Sequence, residues 1–90
     1  MLLPPLSPLM RTVLIRFDSS MTEADVAWFL DEESVREPVK RARQVLAALC
    51  NIGTHHRDGS TYCVTPRGER VRDQLLADLA ATVRPARRRT

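Results

Sequence analysis

The sequence predicts an α+β fold, mostly helical, with four helices and one β-hairpin in the order helix, helix, helix, hairpin, helix. Three observations carry that prediction. Apolar residues recur at helical spacing in four separate stretches, each opened by a capping residue, a proline in the first turn, or both. Around Asp58-Gly59 the period changes from helix to strand. With 90 residues, 43% of them hydrophobic, the chain has material for one modest core and no second domain.

The elements follow in order. Ser7 before Pro8 is a cap and then a proline at the first helical position, where its missing N–H costs nothing. Leu9, Met10, Val13, Leu14 and Phe17 continue at helical spacing, giving a first helix over about 8–17 that Asp18, Ser19 and Ser20 break. Thr22 caps a second helix over about 23–30. Asp25 makes a capping box with it, and Met21 and Val26 have hydrophobic-staple spacing. Trp28 and Phe29 are adjacent on this short helix and cannot face one core together, so one anchors it and the other is exposed, open to a subunit contact.

The acidic run at 31–34 reads as a turn. Ser34 and Glu37 read as the capping box of a third helix over 35–51, with Pro38 in its first turn. Val39, Ala42, Val45, Leu46 and Leu49 share one apolar arc, while Arg36, Lys40, Arg43 and Gln44 project opposite it with Arg41 at the edge. Gly53 stops the helix. Strands over 54–57 and 60–65 then flank the Asp58-Gly59 turn, with Tyr62 packed beneath. Thr65-Pro66 repeats the cap-and-proline start for a last helix, whose apolar positions Val71, Leu75, Leu76, Leu79 and Val83 run almost to Pro85. The expected organisation is an arm over 1–7, a domain over 8–84 and a mobile basic tail over 85–90.

Charge is divided unevenly. Residues 1–35 hold two basic and six acidic side chains, net −4; residues 36–90 hold twelve basic and five acidic, net +7; together they give the chain's +3. Such asymmetry points to a half that faces a polyanion, the alternative being a basic solvated face. On the third helix, four like charges on one exposed side repel one another, whereas a purely structural surface helix more often mixes signs. Arg36 and Arg41 also have a plainer reading, as partners of Asp31, Glu32, Glu33 or Glu37 in a screened surface network.

Several classes of function are disfavoured. The chain lacks a Gly-rich phosphate loop, a nucleophile motif and a convincing carboxylate pair, since Glu32 and Glu33 diverge on any regular element; an enzyme is not expected. Cys50, His55, His56 and Cys63 match no common zinc spacing, so no metal or other cofactor is expected, and the thiols are expected to be free. Without a basic leader or an apolar stretch near 20 residues, the expectation is a soluble cytoplasmic protein with no membrane contact.

Three segments carry a family resemblance. Residues 21–30, MTEADVAWFL, resemble the T-x-x-x-L-A-x-x-L helix of the MarR, ArsR and PadR-like groups of prokaryotic regulators. Leu46, Leu49 and Gly53 resemble the L-x-x-L-x-x-x-G close of their recognition helix. Residues 58–68, DGSTYCVTPRG, are similar to their wing and its Y-x-L-T-x-x-G exit. The departures are Thr54 and His55, where two apolar residues usually follow the glycine, and Val64 in place of leucine.

The resemblance covers residues 9–84 and implies a winged helix-turn-helix domain that binds double-stranded DNA as a small transcriptional regulator, lying with the nucleoid. It implies helix 35–51 in the major groove, with Arg36, Lys40 and Gln44 at base edges and Arg41 and Arg43 on phosphates. The wing at 54–65 brings His55, His56 and Arg57 to the adjacent groove or backbone. Arg67, at the start of the last helix, serves another phosphate. A homodimer is expected through Leu9, Leu14, Leu75, Leu76, Leu79 and Val83, with the N-terminal arm laid across the second subunit. The alternative is a winged helix used as a protein-interaction module in a larger complex.

Overall fold

Four helices and a three-stranded antiparallel sheet follow one another as α1 (Pro8–Arg16), β1 (Ser20–Thr22), α2 (Glu23–Glu32), α3 (Pro38–Asn51), β2 (His55–Asp58), β3 (Thr61–Val64) and α4 (Pro66–Arg87). The computed structural model describes the backbone of residues 4–87 and the side chains of residues 4–82. The first three residues of the expected arm, the last three of the expected tail and the side chain of Val83 lie outside the described residues.

The capping residues set the helix starts. Ser7 accepts a hydrogen bond from the Met10 amide at 3.1 Å, with Pro8 in the first turn of α1. At α2 the capping box is complete: the Asp25 amide donates to Thr22 Oγ1 at 3.1 Å and the Thr22 amide donates to Asp25 Oδ2 at 3.0 Å. Thr65 accepts from the Gly68 amide at 3.0 Å and opens α4.

At α3 the expectation fails in an instructive way. Ser34 and Glu37 make no capping box; both sit at positive φ, 62° and 51°. Ser34 instead ends α2. Its amide donates to Asp31 O at 3.0 Å and the Val35 amide donates to Leu30 O at 2.9 Å, the paired bonds of a Schellman motif. Since a residue preceding proline avoids the α region, α3 begins only at Pro38, three residues later than expected. The same motif closes α3, where Gly53, φ 84°, takes the left-handed position and the Gly53 and Thr54 amides donate to Cys50 O and Leu49 O.

The sheet is ordered β1-β3-β2. β1 was not anticipated. Three residues carry no readable period; the strand exists because Met21 pairs with Tyr62 and both are buried. In the hairpin Asp58 pairs with Thr61, so the two-residue loop is Gly59 and Ser60, one position beyond the expected Asp58-Gly59. Only Gly59, φ 65°, has positive φ there, as a turn with glycine at its first central position requires. At the other end, α4 runs to Arg87, past the expected end at 84 and through Pro85.

The core has two parts divided by α1. Met10 and Val13 pack with Met21, Val26, Leu30, Leu46, Leu49 and Tyr62, while Leu14 packs with Val71 and Leu75 of α4; Leu6 touches both. Leu14 and Leu75, expected at a dimer interface, are thus interior residues of one chain: α1 already covers this part of α4. No helix among the described residues is long and apolar enough to cross a membrane.

Candidate nucleic-acid interface

The outward side of α3 is assembled by the burial of its opposite side. Ala42, Val45, Leu46 and Leu49 are interior, which at 100° per residue leaves Lys40, Arg41, Arg43 and Gln44 exposed; Arg36, expected one turn before Lys40, is exposed but precedes the helix, which starts only at Pro38. Arg43 is tied down: its Nε lies 3.1 Å from Glu23 Oε1 at the start of α2. Arg41 Nη1 donates to Gln44 Oε1 at 3.5 Å, the outer limit of a hydrogen bond. Arg36 and Lys40 make no ion pair or side-chain hydrogen bond among the described residues, so the network with Asp31, Glu32, Glu33 or Glu37 does not form. Gln44 borders two grooves, one with Pro38, Val39, Lys40 and Arg43, the other with Arg41 and the start of α1.

Val39 does not belong to the buried arc, as it was expected to; it is 54% exposed. It lies about 70° from the middle of that arc, and with α3 starting at Pro38 no earlier helical turn covers it.

The hairpin adds exposed His56 and Arg57. Arg57 is braced over its own strands, its Nε donating to Gly59 O at 2.8 Å and its guanidinium 5.6 Å from the centre of the Tyr62 ring. It borders a groove with Thr22, Glu23, Ala24 and Tyr62, so Glu23 stands between the cations of α3 and of the hairpin. Arg67 is exposed but donates to Ile52 O at 3.0 Å, where a cation meets the negative end of the α3 dipole.

His55, placed on the hairpin surface by the resemblance, is interior at 2% exposure. The Thr54 hydroxyl donates to Leu49 O at 3.0 Å and therefore accepts from His55 Nδ1 at 3.1 Å. That fixes the tautomer, leaving Nε2 a buried lone pair with no partner among the described residues. Burial, with His56 alongside as a second cause, lowers the His55 pKa to about 4. Thr54 and His55 fill the two places where the resembled groups carry apolar residues. Cys50 and Cys63 are free thiols, and burial raises the Cys50 pKa against the opposing pull of Arg57.

Of the remaining interface expectations, Leu9 and Leu76 are half-buried, while Leu79 is exposed beside Ile15 and Leu75 in a groove between α1 and α4. Glu23 and Val39 were not anticipated at the candidate site. An ion pair between residues 20 apart leaves no local signal, and Val39 differs from a core residue only by where the helix starts. No protein-family model, no curated protein and no solved structure matches this chain.

Proposed function

We propose that this chain is a winged helix-turn-helix protein that binds double-stranded DNA as a small transcriptional regulator, α3 being its recognition helix and the β2–β3 hairpin its wing. The observation that supports this most is the outward side of α3, where Lys40 and Gln44 stand exposed with Arg41 and Arg43 beside them and Arg36 exposed just before the helix. Arg, Lys and Gln are the side chains whose donors match base edges in the major groove, and the rim cations suit phosphates. Arg41 and Arg43 flank the reading positions, while Arg57 and Arg67 extend the cationic surface toward the hairpin, where His56 is also exposed.

The protein works as a homodimer in this reading. Described side chains of α4 from Ala77 to Thr82 are all exposed, Leu79 among them, and a helical extension of this kind gains its stability from packing against a partner. A two-fold pair sets its recognition helices about 34 Å apart, matching one DNA turn. Selection of bound duplexes from a random pool tests both parts: an inverted repeat with that spacing is expected, and an unenriched pool contradicts sequence-specific binding. Light scattering on the intact protein and on Leu79→Glu separates the dimer from the DNA contact.

A second reading, a protein-interaction module that does not touch DNA, is favoured by one observation. Trp28 on acidic α2 is 62% exposed, a large aromatic of the kind that anchors protein interfaces. A folded protein without duplex affinity at low salt points to that reading.

A further inference from the structure

Resting on the DNA-binding reading of α3, we propose that Val39 contacts the 5-methyl group of a thymine in the major groove, so that the preferred duplex carries a thymine whose methyl is required for full affinity.

Three large apolar side chains are exposed among the described residues, Trp28, Val39 and Leu79, and Val39 is the one on α3, at the edge between its buried arc and its cationic side. It lines a groove with Pro38, where Lys40, Arg43 and Gln44 supply donors and Glu37 the one carboxylate, while Arg43 is already paired with Glu23. That combination matches one chemistry. A major groove offers donors and acceptors at every base pair, rimmed by phosphates, and its one apolar projection is the thymine methyl. The β-branched side chain holds χ1 stiffly, so little freedom is lost when it meets a methyl of fixed position. Lys40 is the next residue and suits guanine O6 and N7; Gln44, one turn further, suits adenine N6 and N7. A protein partner fits this spot less well: one valine and a half-buried proline are a small anchor, and lysine is depleted at the centres of protein interfaces.

The test uses the duplex obtained by selection from a random pool. Each thymine is replaced in turn by deoxyuridine, which removes the methyl and nothing else, and affinity is measured for the intact protein and for Val39→Ala. One thymine in each half-site is expected to show an about four-fold weakening on replacement, the effect of one buried methyl. Val39→Ala is expected to bind thymine and deoxyuridine duplexes alike, with circular dichroism unchanged and melting nearly so, because more than half of the residue is exposed. Equal binding of every deoxyuridine duplex by the intact protein overturns the inference and leaves DNA binding standing. So does a methyl effect that persists in Val39→Ala. A protein that selects no duplex overturns the inference together with the reading beneath it, and directs attention to a protein partner.

Discussion

The junction of the C-terminal end of α3 with the hairpin and α4 contrasts with the outward side of α3 nearer its start. At the junction the polar groups are committed to one another. Thr54 O accepts the Thr65 amide at 3.0 Å, Thr65 Oγ1 donates to Gly53 O at 2.6 Å, the Gly68 amide donates to Thr65 Oγ1, and Thr54 Oγ1 holds Leu49 O and His55. On the open side, Arg36 and Lys40 make no ion pair or side-chain hydrogen bond among the described residues, and Val39 is 54% exposed. The difference separates two kinds of conservatism: a change at the junction acts on stability, and a change on the open side acts on what is bound. It also explains how a 90-residue chain presents long charged side chains at fixed positions, since the hairpin and α4 are locked to the end of the helix that carries them.

The strongest way to break the junction is Gly68→Ala. In a helix this exchange ordinarily stabilises by about 1 kcal/mol. Here an added Cβ meets the Thr54 carbonyl oxygen and, at 2.7 Å, Val64 Cγ2, and a backbone carbonyl does not swing aside. The clash outweighs the helix gain, and a net loss of about 3 kcal/mol is expected. Thermal melting should show a fall on the order of 15 °C. An unchanged or raised melting temperature breaks the account of the junction.

Protonating His55 attacks the same place from within. Its folded pKa, about 4, lies below the ordinary value of 6.5, so the unfolded chain takes the proton first. Stability is therefore full above about pH 6.5, falls as the pH drops toward about 4, and levels off below that. The full extent is roughly 3 kcal/mol by linkage. Urea melts from pH 7 to pH 4 measure it, and His55→Leu should flatten that part of the profile; an equal slope in the variant contradicts the role of the imidazole.

Smallest in stability, and most telling for function, are Lys40→Ala and Gln44→Ala. Each is expected to shift unfolding by less than about 0.5 kcal/mol while relaxing the sequence preference. Arg57→Ala should weaken all duplexes alike. If the three variants lose affinity in the same pattern, the division between base and phosphate contacts is wrong.

What was legible in the sequence was what is local. The caps at Ser7, Thr22 and Thr65 and the stop at Gly53 involve residues within five positions of each other, and all four formed. Ser34 was misread although it too is local, because one short polar residue serves equally as a helix start or as a left-handed helix stop, and Pro38 decided between them. β1, the Arg43–Glu23 pair and the burial of His55 all depend on partners brought from afar by folding, which no spacing displays. At the candidate site the cationic side of α3 was readable from helical period alone. The exposure of Val39 depended on a boundary set three residues later than the sequence suggested.

Affinity for a random-sequence duplex, titrated from about 50 to 200 mM salt, addresses the central claim most directly. If the open side of α3 and the hairpin neutralise about six phosphates, the logarithm of the binding constant falls linearly with the logarithm of salt, with a slope of about −5. No measurable binding by folded protein at about 50 mM salt, or a slope near zero, contradicts the claim that this surface faces DNA.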